Sequence, residues 1–252
     1  MNPRVFVNRP IQPAERVWID GEDGHHLVRV LRVVAGEIVS VASAGHGYLG
    51  RVTDIDAREG RVAVDVTEAL PSHEPECKVF LLQGLAKGDK MDTILQHGTE
   101  AGVTGFLAMA TERSIVRLEP KKVADRLRRW QRIAHEAASQ AQRDVVPQVD
   151  YAGSSDQAKE WLEKIRPDIV LFVDEEERNR GLYSALTAVK SPAPTVVCLI
   201  GPEGGWADSE REEWVRQGTA VSVTLGPRVF RTESAGLVTV AAVLHQFRDL
   251  GG

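Results

Sequence analysis

The sequence predicts an α/β protein in two parts, a small β-rich portion followed by a larger portion built on a parallel sheet. Three observations carry this. Up to about residue 70, short β-branched runs alternate with glycines at the spacing of a small barrel or sandwich. Residues 71–77 then read as a linker, since the first six, PSHEPE, hold two prolines and no apolar residue. From residue 78 onward, near-continuous apolar strands alternate with helical stretches, as in a parallel sheet covered on both faces.

The β runs of residues 1–70 are 4–7, 16–19, 37–42, 48–55 and 61–66, punctuated by Gly21, Gly36, Gly45, Gly47 and Gly60. Residues 25–34, HHLVRVLRVV, interrupt them. Leu27, Val30, Leu31 and Val34 fall at i, i+3, i+4 and i+7, which predicts a short amphipathic helix with Arg29 and Arg32 on its other face. Beyond the linker, 78–83 reads as a strand, 92–101 as a helix stopped by Gly102, and 106–110 as a strand. Pro120 opens a long helix reaching about Arg143. Helices follow at 155–165 and 209–217, strands at 169–173, 195–200 and 221–225, and a final helix at 233–247. That helix is apolar nearly all round, so it must be covered, in the core or in an interface.

Composition removes several function classes. With 42% hydrophobic and 27% charged residues among 252, the chain is neither disordered nor collagen-like. Its longest apolar runs, 169–173 and 196–200, fall far short of the roughly 18 residues that span a membrane. The start, MNPRVFVNRP, has no apolar signal region, and Cys77 and Cys198 stand alone without a CxxC. A cytoplasmic protein without a metal site is the expectation. The net charge of -5 argues against an indiscriminate nucleic-acid coat. Residues 113–143 nevertheless carry nine Lys or Arg against three acids. Such a stretch suits a selective phosphate contact, and equally a solvated helical face.

In parallel sheets, ligands sit at the carboxyl ends of strands. Two strand ends here have unusual chemistry. The strand at 195–200 runs into Gly201-Pro202-Glu203-Gly204-Gly205, where glycines let a ligand approach the main chain and Pro202 stiffens the loop. Exposed N–H and C=O groups there could read an adenine edge, although the same five residues also serve as a simple tight turn. There is no GxGxxG, no P-loop, no GxSxG and no HExxH. The second strand end, LGPRVFRTE (225–233), sets Arg228, Arg231 and Glu233 before the last helix, with Thr232 as a plausible N-cap. A structural Arg231–Glu233 pair is the competing reading. His25 and His26 read as packing or capping the start of their helix, and His97 and His135 lack companions at metal-ligand spacing.

GPEGGW (201–206) followed by LGPRVFRTESA (225–235) resembles the paired signature of the SPOUT methyltransferases. With GHHLVRVLRVVAG (24–36) and RWQRIAHEAASQAQRDVVPQV (129–149), it is more closely similar to the ribosomal small-subunit methyltransferase E (RsmE) family, over nearly the whole chain and in order. Phe230 stands where that family more often has Leu, and Ser234 where it often has Thr.

The resemblance implies a PUA-like RNA-binding β-barrel over residues 1–70 and a SPOUT domain with a deep trefoil knot over 78–252. Periodicity alone would give an ordinary doubly wound sheet. It further implies methylation of N3 of a uridine in 16S ribosomal RNA with S-adenosylmethionine, by a homodimer acting on the RNA or on the small subunit. Another RNA position, or a non-catalytic RNA-binding role, is the alternative. Under this reading the cofactor site comprises Phe172, Val173, Ile200, Gly201, Pro202, Glu203, Gly204, Gly205, Leu225, Gly226, Arg228, Val229 and Arg231. Arg231 and Glu233 are the candidate catalytic residues, with Arg143 in reserve. Arg29, Arg32, Arg128, Arg132 and Arg143 are the candidate RNA contacts.

Overall fold

The β-branched runs at the start of the chain pair into one five-stranded sheet. In the computed structural model, which describes residues 2–251, the strands are β1 Arg4–Val7, β2 Arg16–Ile19, β3 Ile38–Ser43, β4 His46–Asp56 and β5 Arg61–Ala69, in the order β1-β3-β4-β5-β2. Only β1 and β3 run parallel. The sheet curls until its two edge strands approach each other, and Val17, Ile19, Leu27, Val39, Val41, Val52, Val62 and Val64 fill the interior. This first unit comprises the residues up to Glu74 together with Ala138–Val146.

The helix expected at 25–34 forms differently. α1, Gly21–His25, passes directly into a π-helical stretch, His26–Leu31, which ends at Arg32 in a left-handed conformation (φ 54°). The wider π turn breaks the 3.6-residue stripe that the pattern assumed. Leu27 is buried, whereas Val30, Leu31 and Val34 are exposed.

The second unit, Pro75–Ala137 with Pro147–Gly252, holds a six-stranded sheet. Its strands are β6 Lys78–Gly84, β7 Gly105–Met109, β8 Gln148–Ala152, β9 Ile169–Val173, β10 Thr195–Ile200 and β11 Val221–Val223. The order is β11-β9-β10-β6-β7-β8, with every pair parallel. The helices are α2 Lys90–Ala101, α3 Pro120–Gln140, α4 Ser155–Ile165, α5 Leu182–Leu186, α6 Asp208–Arg211 and α7 Thr232–Gln246. α2 ends at Gly102 in the left-handed region (φ 105°), and α4 begins where the Ser154 side chain accepts from the Gln157 N–H. α6 continues as a π-helical stretch, Glu212–Arg216. One face of the sheet takes Ala158 and Leu162 of α4 together with Trp206 and Trp214, while α7 lies against β6, β10 and α2.

β8 and α5 have no counterpart in the periodicity. β8 is an edge strand whose QVDYA is half polar, and α5 is too short for a helical period to register. Among the described residues, no helix is long and apolar enough to cross a membrane.

Candidate active site

β9, β10 and β11 are adjacent and parallel, so the loops leaving their carboxyl ends converge on one side of the sheet. They enclose a cavity of about 370 Å³, within the range of small-ligand sites. Residues 201–203 and 205 form one wall, 224–231 a second, and Val173, Asp174, Glu175 and Arg178 a third.

Each wall is held from behind. Gly205 N–H donates to Pro202 O (3.0 Å), closing a turn in which Gly205 has φ +68°. A Cβ on Gly205 would press on the Glu175 carboxylate, and the left-handed backbone of Gly205 favours glycine in any case. Trp206, fully buried, packs on Phe172 with ring centroids 4.5 Å apart and donates its indole N–H to Val173 O (3.0 Å), tying the glycine loop to the end of β9. Gln83, at the end of β6, donates from Nε2 to Thr232 Oγ1 (2.9 Å) and to Gly84 O (3.0 Å). Thr232 in turn donates its hydroxyl to Gly201 O (2.6 Å). The start of α7 is thereby fastened to the glycine loop. The helix-capping role expected of Thr232 falls instead to the position of Arg231, whose side chain makes no cap bond.

Charge is distributed unevenly around the cavity. Asp174 accepts from Arg211 through both carboxylate oxygens (2.8 and 3.1 Å). Lys90 Nζ bridges Glu203 (3.3 Å) and Glu233 (3.1 Å). Burial pushes the Glu233 carboxyl up, but its own N–H in the first helical turn and the Lys90 ammonium outweigh this and hold it below the usual carboxylate range. Burial acts against the charge on Lys90 too, and the two carboxylates reverse that and raise its pKa. Glu203 Oε2 is buried without a hydrogen-bond partner. Arg228 and Arg231 make no ion pair among the described residues, and neither do the main-chain N–H groups of Arg228, Val229 and Phe230 find a partner. These unpaired groups are available to a ligand.

A model described as an RNA methyltransferase domain matches residues 73–244, and one described as an RNA methyltransferase PUA domain matches 19–64. The ribosomal RNA small subunit methyltransferase E of Bacillus subtilis (strain 168) is 33% identical over 99% of this chain and 98% of its own length. The chain belongs to the ribosomal RNA small subunit methyltransferase E family. The Mycobacterium tuberculosis relative of the same name is 31% identical over 89% of this chain and 84% of its own. Among solved structures, the Neisseria gonorrhoeae ribosomal RNA small subunit methyltransferase E bound to S-adenosyl methionine has a TM-score of 0.82 at 28% identity, covering 97% of this chain and 98% of that one.

For a member of this family, the sequence-predicted site residues divide into two groups. Val173, Ile200, Gly201, Pro202, Glu203, Gly205, Leu225, Gly226, Arg228, Val229 and Arg231 all line the cavity. Phe172 does not, being wholly buried under Trp206. Gly204 faces away, where its carbonyl accepts from Arg113 (3.3 Å). Glu233 is also absent from the cavity lining and is turned to Lys90 rather than to Arg231. Arg143 belongs to the first unit, where its guanidinium is buried in a two-pronged ion pair with Glu74. Arg29, Arg32, Arg128 and Arg132 are exposed, but Arg128 is paired with Asp125 and Arg132 with Glu136 (3.6 Å).

Lys90, Asp174, Glu175, Arg178, Thr224, Pro227, Phe230, Thr232 and Ala235 complete the lining, of which Lys90, Asp174, Glu175 and Arg178 lay outside every marked segment. Gly84 was equally invisible, although a Cβ there would meet Pro202 at 2.7 Å. The two thiols are fully buried in the sheet region, and burial pushes Cys77 up to about 12, so neither is a nucleophile at neutral pH. Among the described residues, no cluster of three or more His, Cys, Asp or Glu could hold a metal.

Proposed function

We propose that this protein transfers the methyl group of S-adenosylmethionine to N3 of a uridine in small-subunit (16S) ribosomal RNA. The observation that carries the reading is the cavity at the carboxyl ends of β9, β10 and β11, with its unpaired main-chain N–H groups at 228–230. Main-chain donors and acceptors suit a nucleobase edge. Leu225, Val229 and Ile200 supply apolar wall. When bound, the cofactor provides a methyl group on a positively charged sulfur whose thioether is already a good leaving group.

Uracil N3 carries a proton, and its lone pair is delocalised into two carbonyls, so it attacks well only as the uridinate. Arg231, at the cavity wall and in no ion pair among the described residues, holds the charge that develops over O2, N3 and O4. Glu233, held ionised and turned to Lys90, holds the glycine loop against α7, and the N3 proton passes to solvent water before N3 attacks the methyl carbon and the thioether leaves. The walls position the acceptor in line with the methyl carbon, which supplies much of the rate. Arg29 and Arg32 contribute long-range attraction for RNA, whereas Arg128 and Arg132 share their charge with Asp125 and Glu136. The working unit is a homodimer in which the exposed Val238 of α7 is covered. Residues 1–70 form the RNA-binding domain, 71–77 the linker and 78–252 the catalytic domain, apart from 138–146, which group with the first unit.

The test is transfer of labelled methyl from S-adenosylmethionine to small-subunit RNA and to assembled subunits from cells lacking the enzyme, with the modified nucleoside identified by mass spectrometry. 3-Methyluridine is expected. A 2′-O-methyl product would assign another RNA position, and binding of RNA without transfer would make the chain a non-catalytic module.

A further inference from the structure

The basic stretch 113–143 contains two kinds of cation. On α3, the arginines expected to bind RNA have carboxylates at hand, Arg128 from Asp125 and Arg132 from Glu136, as does Arg129 from Asp92, while Arg126 lies over Trp130 and Lys121 is in no ion pair among the described residues. A phosphate approaching such an arginine also meets the carboxylate, which cancels most of the attraction. Arg113 and Arg117, in the segment joining β7 to α3, are different. Both are exposed, and their guanidinium groups donate only to neutral carbonyls, Gly204 O (3.3 Å) and Glu112 O (3.2 Å). Neither has a carboxylate at ion-pair distance among the described residues. Each therefore keeps a full positive charge facing solvent.

The segment is also rigidly built. Thr111 and Ser114 are buried, and their hydroxyls lie 2.6 Å apart. The Glu112 N–H donates to Glu210 (2.9 Å), and the Glu112 carboxylate accepts from Ser209 (2.6 Å). Between the two cations, Ile115 stands 68% exposed. An apolar side chain held out between two unpaired arginines on an anchored loop has the composition of a surface for sugar-phosphate chain, where the arginines take phosphates and Ile115 packs on a ribose or base. Preorganisation lowers the entropy cost of binding there.

Its location supplies the second argument. Arg113 lies directly behind the glycine loop: a Cβ on Gly204 would touch Arg113 Cβ at 3.1 Å, while Glu203 and Gly205 on either side line the cavity. A polynucleotide with one nucleotide in the cavity must run its neighbouring phosphates close to the cavity walls.

Resting on the function proposed above, we infer that residues 111–118 hold the single-stranded RNA that flanks the target nucleotide, through Arg113 and Arg117, and that α3 contributes less. The variants are Arg113→Gln with Arg117→Gln, since glutamine can still donate to the two carbonyls, and Arg128→Gln with Arg132→Gln for comparison. Binding of naked small-subunit RNA is measured between about 50 and 200 mM salt, where each phosphate contact on a single strand contributes about 0.7 to the log–log slope. The loop variant should lower the slope by about 1.4 and raise KM for RNA with KM for S-adenosylmethionine unchanged, and the α3 variant should lower the slope by less than half as much. An unchanged slope in the loop variant, a larger loss in the α3 variant, or a rise confined to KM for S-adenosylmethionine would each overturn the inference. The wild-type protein in the same assay separates the two levels: no methyl transfer by it sinks the functional reading, whereas normal transfer with an unaffected loop variant sinks only this one.

Discussion

Replacing Gly84 by alanine tests whether the glycine loop is held as tightly as the packing implies. Gly84 ends β6, beside Gln83, and a Cβ there would lie 2.7 Å from both the ring Cδ and the backbone nitrogen of Pro202. Carbon contacts become ordinary at 3.4 Å, so the loop must retreat by about 0.7 Å. No flexible side chain can swing aside, because Pro202 is fixed by its ring and its loop is pinned through Gly201 O to Thr232. Overpacking of this kind costs about 1–3 kcal/mol. If the cavity wall absorbs the displacement, cofactor affinity falls about 5- to 150-fold, since 1.4 kcal/mol is tenfold. Titration calorimetry with S-adenosylmethionine reads the affinity, and thermal unfolding without ligand reads whether the fold absorbed the strain instead. Affinity within twofold of wild type, with an unchanged melting temperature, would show that Pro202 has room to move and that this account of the loop is wrong.

Lys90→Met should destabilise the protein around neutral pH by leaving Glu203 and Glu233 facing each other unneutralised. The depressed Glu233 contributes stability above the ordinary value of 4.5 that is lost as pH falls through its folded pKa, and the raised Lys90 contributes stability below 10.5 that is lost as pH rises through its own. The gap from wild type in urea midpoints should thus be widest between those values and close at both ends; a gap independent of pH would contradict the ion triad. Arg231→Ala should cut kcat by about 10²- to 10³-fold, the usual effect of removing a group that stabilises transition-state charge, with a much smaller effect on cofactor affinity. Glu233→Gln should leave the acid limb of the pH–rate profile in place, and a shifted limb would restore it as the base. Light scattering at micromolar concentration should give a dimer mass, and Val238→Arg on α7 should lower it; a wild-type monomer would refute the interface.

The element pattern of the second unit was legible because its strands are buried on both faces and its helices carry capping signals. β9 and β10 occupy the residues that their apolar runs marked, and α4 likewise. The stretch at 25–34 was misjudged because a π-helical turn uses the same apolar residues at a different period, which leaves Val30, Leu31 and Val34 in solvent. The two loops were legible for a chemical reason, since glycine and proline restrict or free the backbone wherever they occur.

The sequence by itself marked the two loops, GPEGG and LGPRVFR, that line the cavity, because glycines and prolines follow the strand ends in both and LGPRVFR adds two arginines. What it could not determine is which way each side chain faces. Gly204 and Phe172 lie within the marked segments yet point into packing rather than into the cavity. Glu233 answers to Lys90, which is 143 positions away, and Gln83 reaches Thr232 across 149. Arg143, which reads as a surface cation on a basic helix, is buried against Glu74. Such pairings are settled by parallel strands bringing distant loops to one end of a sheet and by the desolvation of whichever charges are covered there, and neither quantity is written in local sequence.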